Sequence, residues 1–261
     1  MRRRWVLGGV VVVVLGVVAA LAVVAERRVG GALDRVTGLG PDCTIADVRG
    51  DGQDVELTRG QAEAVSAAGA GAVRRGWGTE RARSEVTRAA GRADLRLDRA
   101  DVVLVTAALT GRARAALTCS SPSSPAEEPD RLDARGLTAR AAGVRSDLLG
   151  AFGPQKLGGY APGGVTTGHM PGSAHYEGRA VDVFYRPMTP AQKRRGWATA
   201  QYLVANAERL DVRTVIYDAR IWTAWRAGEG WRTYDVGTSG RPAAVADVLL
   251  HRDHVHVDVA D

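Results

Sequence analysis

Histidine is absent from the chain before His169, and lysine occurs only at Lys156 and Lys193. Residues 1–168 therefore contain no imidazole that could act in catalysis or bind a metal ion. Because lysine is so scarce, the net charge of +6 comes almost entirely from arginine. No basic stripe interleaved with aromatic residues and no nucleic-acid-binding motif accompanies that charge, so we expect no nucleic-acid partner.

Cysteine is also scarce, with Cys43 and Cys119 as the only two in the chain. They have no CxxC spacing and no histidine nearby, which argues against a cysteine metal site. An even pair of cysteines in an exported protein is typical of a disulfide. The sequence therefore predicts a Cys43–Cys119 bridge in an oxidising compartment.

The one long apolar run lies at the N-terminus, from Trp5 to Ala25, after the arginine cluster at residues 2–4. A helix of these residues is roughly 31 Å long, close to the hydrocarbon thickness of a bilayer. Flanking arginines favour a cytoplasmic N-terminus. We expect a single-pass signal anchor in the cell membrane with everything after residue 28 extracytoplasmic. A cleaved signal peptide is the alternative, since the residues before Ala22 and Ala25 resemble cleavage sites.

Composition divides the rest of the chain into segments. A Gly-bearing tether precedes a mainly helical segment, in which Thr58 and Gln61 have the form of a capping box and the last helix is predicted over 98–117. A Ser/Pro linker then leads to the C-terminal domain. The predicted boundaries are 1–28, 29–42, 43–119, 120–132 and 133–261.

The C-terminal domain combines helical and strand patterns. A helix is predicted over 138–152, and Thr189-Pro190 is a strong start signal for another. Alternating patterns predict strands at 179–185, 213–217, 221–225, 231–235 and 254–259. Helices with mostly antiparallel strands in this order indicate an α+β fold.

All five histidines lie in or beside two short stretches, SAHYEGRAVD (173–182) and DHVHV (253–257). Because alternate residues of a strand share a face, Asp182 and His256 meet if their strands are neighbours. Gly178 lets the chain fold back and brings His175 to the same point. Two imidazoles and one carboxylate leave a fourth position free, which is the ligand chemistry of a catalytic Zn2+ site.

The pattern S-x-H-x-x-G-x-A-x-D, met in full at Ser173 to Asp182, resembles the zinc signature of the D-alanyl-D-alanine carboxypeptidase/dipeptidase and hedgehog-like fold. The resemblance extends over roughly residues 136–259 and implies a hedgehog/DD-peptidase-like domain. It makes His175, Asp182 and His256 the zinc ligands. The catalytic base it implies is His254 or Asp253. Strand alternation favours His254, which shares a face with His256, and leaves Asp253 to orient a histidine.

One element of the family pattern is missing. Members of the family carry a G-Y-R element whose arginine stabilises the developing oxyanion. The corresponding residues here are Gly159, Tyr160 and Ala161, so the arginine is replaced by alanine. Arg179, Arg220 or Tyr160 are the candidates to substitute for it.

Two functions follow from these observations. The first is a membrane-anchored zinc metallopeptidase of carboxypeptidase or endopeptidase type, whose substrate, as the resemblance implies, is a peptide of cell-wall peptidoglycan. The second is a non-catalytic zinc-containing module that binds wall peptides or a partner protein. The complete ligand set favours the first function, and the missing arginine favours the second.

Overall fold

The structure is a computed structural model that describes residues 41–47, 54–112, 115–120 and 131–261. The predicted anchor at 5–25, nearly all of the tether and the Ser/Pro linker lie outside the described residues. Within the described ranges, no helix combines the length and apolar character needed to span a bilayer.

The described residues alternate between helices and short strands. The helices are α1 (Arg59–Arg74), α2 (Thr79–Arg92), α3 (Arg99–Leu109), α4 (Ala139–Phe152), α5 (Pro190–Ala205) and α6 (Ala243–Leu249). The strands are β1 (Cys43–Asp47), β2 (Val55–Leu57), β3 (Ala115–Cys119), β4 (Leu157–Gly158), β5 (Ala180–Phe184), β6 (Val212–Tyr217), β7 (Arg220–Thr223), β8 (Arg232–Thr233) and β9 (His254–Val259). Two 3-10 turns are also present, at Ala174–Glu177 and Ala224–Glu229.

These strands form two antiparallel sheets. The smaller has the order β2-β1-β3, and the larger has the order β4-β5-β9-β6-β7-β8. The predicted α+β class with antiparallel strands is therefore confirmed. The predicted strand at 231–235 is shorter than expected and is reduced to β8.

The segment 43–119 is less helical than the sequence predicts, because it contains the whole smaller sheet. The helix predicted over 98–117 ends at Leu109, and Ala115–Cys119 is a strand. Gly111 ends the helix with a positive φ of 66°, at a point where a Cβ would lie 1.8 Å from the carbonyl oxygen of Arg194. The predicted disulfide is confirmed: Cys43 and Cys119 are direct partners across β1 and β3 and are bonded.

Helix α5 joins the two sheets into one compact unit, residues 42–261. It begins as predicted, with Thr189 as the N-cap that accepts from the Gln192 N–H and Pro190 in the first turn. Its second half is buried, and there Gln201 Oε1 accepts a hydrogen bond from the Leu117 N–H of β3 at 2.8 Å. Helices α1 and α3 and strand β3 thus cover a face of α5 that would otherwise meet water. The predicted domain boundaries stay a prediction.

Strands β5 and β9 are adjacent interior strands of the larger sheet. Their antiparallel register pairs Asp182 with His256 and Phe184 with His254. The two motifs of the sequence, 71 or more residues apart in the chain, therefore come together through ordinary sheet pairing.

Candidate metal centre

His175 is positioned by the short 3-10 turn that precedes β5. The Ser173 side chain caps this turn by accepting from the His175 N–H at 3.4 Å. Gly178 ends it in the left-handed conformation, with φ of 68°. A Cβ at Gly178 would lie 2.5 Å from Leu132 and 2.6 Å from the Gly136 carbonyl oxygen, so only glycine fits there. The turn delivers the imidazole of His175 to the start of β5, over Asp182.

Three side chains converge on one buried point. His175 Nε2 and His256 Nδ1 each lie 3.2 Å from Asp182 Oδ1, and the two nitrogens are 3.0 Å apart. All three residues are buried, with exposures of 2%, 5% and 7% for His175, Asp182 and His256. Two ligands of a tetrahedral zinc lie about 3.3 Å apart, because zinc–nitrogen bonds are about 2.0–2.1 Å long. The group can therefore hold a metal ion with little movement.

Hydrogen bonds on the far side of each ring decide which nitrogen faces the centre. His175 Nδ1 lies 2.7 Å from the Gly159 carbonyl oxygen, which only accepts, so Nδ1 carries a proton and, in the neutral imidazole, Nε2 keeps its lone pair. His256 Nε2 faces Asp258 Oδ2 at 3.5 Å, which leaves Nδ1 as the ligand atom. Such outer partners fix ring orientation and tautomer in metal sites.

The backbone of Gly159 packs directly against His175 and Asp182. Its φ of 80° lies in the left-handed region, and a Cβ there would come within 2.3 Å of His175 Cε1 and 3.0 Å of Asp182 Oδ2. Any larger residue would displace the imidazole of His175 or the carboxylate. The glycine of the incomplete Gly159-Tyr160-Ala161 element is therefore required for packing against two of the three ligands.

The electrostatics of the group favour a bound cation. Burial by itself raises the pKa of Asp182, but the hydrogen bonds and charges of His175 and His256 outweigh it and hold the pKa well below its usual range. Burial lowers the pKa of His256, yet the hydrogen bonds and charges of Asp182 and Asp258 raise it to about 9. The carboxylates thus stabilise positive charge at this point, whether it is a proton on His256 or a metal ion.

His254 lies beside the centre on the same face of β9. Its Nε2 is 3.9 Å from Asp182 Oδ1, and its Nδ1 is 2.7 Å from Asp253 Oδ1. Asp253 precedes β9, is 4% exposed and also accepts from Arg186 Nε at 2.5 Å. The structure therefore brings His254 next to the three converging residues and Asp253 behind His254. Sequence reasoning missed Arg186; the signal for it is that a buried aspartate needs a cationic or hydrogen-bonding partner.

The remaining two histidines surround this group. The His169 ring stacks on His175 with centroids 4.0 Å apart. The His251 ring lies 4.6 Å from His254 and 5.5 Å from His256. Burial, together with the neighbouring His256 and His254, lowers the pKa of His251 to about 3, so this ring is neutral. All five histidines of the chain therefore gather at one place.

The proposed substitutes for the missing arginine differ in their surroundings. Arg179 donates to the Val259 carbonyl oxygen and pairs with Asp261, and Arg220 donates weakly to Thr233. The hydroxyl of Tyr160 accepts from Arg145 Nε of α4 at 3.0 Å. Of the three candidates, Tyr160 is the one that directly follows Gly159 in the chain. Its hydrogen bond also brings the guanidinium of Arg145 to this residue.

The antiparallel α+β fold and this buried His/Asp/His group define a protein with a metal-capable centre. Residues 133–244 match the family model described as VldE, C-terminal domain, and VldE is a hedgehog/DD-peptidase-like family. The match covers less than half of the chain; it includes His175 and Asp182 and ends before β9. No curated protein and no solved structure matches the chain.

Proposed function

We propose that the protein is an extracytoplasmic zinc hydrolase of the hedgehog/DD-peptidase type that cleaves peptide bonds of peptidoglycan. The observation that carries the proposal is the convergence of His175, Asp182 and His256 on one buried point with His254 beside them. The donor set of two imidazoles and one carboxylate is the set used by catalytic zinc sites, which keep one position open.

His175 Nε2, Asp182 Oδ1 and His256 Nδ1 would hold the ion. When bound there, zinc would lower the pKa of a water to about 7 and polarise the carbonyl under attack. His254 supports this chemistry as the proton acceptor, since its Nδ1 is occupied by Asp253 and its Nε2 faces the centre. The neutral ring of His251 packs against His254, so it adds no positive charge beside the proposed proton acceptor.

Hydrolysis by the full-length chain tests the proposal. The zinc-loaded protein would be incubated with muropeptides that carry a stem ending in D-alanyl-D-alanine, and products separated by mass. We expect cleavage by the wild type and none by His256→Ala. His254→Ala would retain zinc but lose turnover by about 10²–10⁴-fold, the usual contribution of a general base. Unchanged turnover in His254→Ala would show that His254 is not the general base.

A non-catalytic zinc module is the second candidate, and Ala161 in place of the family arginine favours it. This module would bind wall peptides or a partner protein without cleaving them. Stoichiometric zinc and muropeptide binding without any product would support this candidate. Restoring the family element with Ala161→Arg separates the two further, because turnover that appears only in this variant identifies the missing oxyanion donor as the cause.

The proposed location is the cell membrane, with the hydrolase outside. The apolar run at 5–25 and the confirmed Cys43–Cys119 disulfide both support export. Membrane fractionation followed by N-terminal sequencing tests this proposal. A membrane-bound chain that begins at its original N-terminus supports the anchor. A released chain that begins after Ala22 or Ala25 supports a cleaved signal peptide.

A further inference from the structure

Asp253 stands between two partners and uses a different oxygen for each. Oδ1 lies 2.7 Å from His254 Nδ1, and Oδ2 accepts from Arg186 Nε at 2.5 Å and also from Arg186 Nη2. The carboxylate is buried, whereas the Arg186 side chain is 48% exposed. Arg186, Asp253 and His254 therefore form a line that runs from the surface to the edge of the metal-capable group.

The hydrogen bond between His254 and Asp253 determines the tautomer of His254. An ionised carboxylate only accepts hydrogen bonds, so the nitrogen that faces Asp253 Oδ1 must carry a proton. In a neutral imidazole the other nitrogen then keeps its lone pair. That nitrogen is His254 Nε2, which points to the centre at 3.9 Å from Asp182 Oδ1.

Packing holds the outer end of this line in place. The Arg186 guanidinium lies over the Phe184 ring with its carbon 5.0 Å from the centroid, and that ring lies 5.6 Å from the ring of His254. Gly158 backs Phe184 so closely that a Cβ there would lie 2.9 Å from the ring. Arg186 is thus aligned by an aromatic face as well as by Asp253.

We propose that Arg186 is a positioning residue, which acts through Asp253 to keep the proton of His254 on Nδ1. A guanidinium only donates, so Arg186 demands an oxygen acceptor at one end of the residue-253 side chain. The tautomer follows from the hydrogen bonds alone; its consequence for turnover rests on the proposed function.

Asp253→Asn should move the proton of His254 from Nδ1 to Nε2. An amide has one oxygen and one NH₂ group, and Arg186 takes the oxygen. The NH₂ group then faces His254 Nδ1, which must accept, so the proton moves to Nε2 and the lone pair turns away from the centre. In the double variant Arg186→Ala/Asp253→Asn, the amide is free to rotate and present its oxygen to His254 again.

Two readouts test this proposal on the full-length, zinc-loaded chain with ¹⁵N-labelled histidine. The ¹⁵N spectrum should show His254 protonated on Nδ1 in the wild type, on Nε2 in Asp253→Asn, and on Nδ1 again in the double variant. Muropeptide hydrolysis should fall by about 10⁴-fold in Asp253→Asn, as for other histidines held in the wrong tautomer. The double variant should recover at least about tenfold of that loss, and Arg186→Ala alone should lose only several-fold.

Arg252→Ala is the matched control, because Arg252 directly precedes Asp253 in the chain but pairs with Asp247, at 3.0 Å. Combined with Asp253→Asn, it should restore neither the tautomer nor turnover. A double variant Arg186→Ala/Asp253→Asn that stays on the Nε2 tautomer would overturn the proposal. A tautomer that switches as expected in a protein without any hydrolysis would support the positioning role and contradict the proposed function instead.

Discussion

Asp182 and His256 are direct partners across β5 and β9, and their Oδ1 and Nδ1 atoms lie 3.2 Å apart. The opposite face of these two strands is apolar and buried, with Val181 paired to Val257. A buried carboxylate and imidazole in such a place destabilise the fold unless they are paired or bind a cation. The buried pair of Asp182 and His256 is therefore better explained by a metal-binding site than by packing of the core.

Substitution of Gly159 should weaken metal binding although no ligand residue is changed. In Gly159→Ala the new methyl group would meet His175 Cε1 at 2.3 Å and strain a backbone with φ of 80°. We expect zinc content to fall by at least tenfold, measured by elemental analysis of the purified chain. Gly143→Ala is the control, since Gly143 lies in α4 with open space around it. A Gly159→Ala protein with full zinc would show that the ring of His175 is not held as described.

His169 should be dispensable for metal binding despite its contact with His175. Its ring stacks on His175 but belongs to no metal-capable group among the described residues. His169→Ala should keep stoichiometric zinc, whereas His175→Ala should lose it, with both measured by elemental analysis after dialysis. Equal losses in the two variants would make His169 a fourth ligand.

Zinc affinity should depend on pH through His256. Since the pKa of its imidazole is raised to about 9, a proton competes with the metal below that pH. Affinity should therefore rise about tenfold per pH unit from pH 6 to 9, as measured by competition with a chelator. The stability of the metal-free chain should depend on pH in the opposite direction. The raised pKa of His256 stabilises the folded chain fully below about pH 6.5, and this contribution is lost as pH rises through 9.

Asp258→Asn supplies the control for this pH dependence. It removes one of the two carboxylates that raise the pKa of His256. The pH at which zinc affinity stops rising should therefore move below that of the wild type. An unchanged profile would mean that another group titrates in this range.

Loss of the disulfide should destabilise the chain. The bridge closes a loop with a sequence separation of 76 residues and joins β1 to β3. Reduction, or replacement of both cysteines by serine, should lower the free energy of unfolding by about 4 kcal/mol, measured by denaturant titration. A reduced protein as stable as the oxidised one would show that the small sheet is held by its packing alone.

Gln201 should stabilise the contact between α5 and the smaller sheet. Its Oε1 accepts the Leu117 N–H in a buried place, so Gln201→Leu would leave that N–H without a partner. We expect a loss of about 1–3 kcal/mol in the free energy of unfolding. Gln192→Leu, at a half-exposed position early in the same helix, is the control and should change stability little.

The parts of the fold predicted from sequence are those with strong local signals. Strand alternation showed that Asp182 and His256 would meet if their strands were neighbours, which they are, and Thr189-Pro190 marked the start of α5. The two cysteines indicated their own bridge because no other pairing was available. Each of these signals is carried by a few adjacent residues or by a single possible partner.

The parts that sequence reasoning missed depend on contacts between distant residues. The strand at Ala115–Cys119 follows a helical pattern and forms only because β1 lies beside it and Gln201 covers its other edge. The link from Arg186 to Asp253 joins residues 67 positions apart. Nothing in the local pattern around Arg186 distinguishes it from the many other arginines of this chain.

The most direct test of the metal centre is the zinc content of the full-length chain, combined with X-ray absorption at the zinc edge. We expect one zinc per chain with two imidazole nitrogens and one carboxylate oxygen as protein ligands. Asp182→Asn should lose most of the metal. A wild-type chain that binds no zinc, or an Asp182→Asn chain that binds it equally well, would contradict the account.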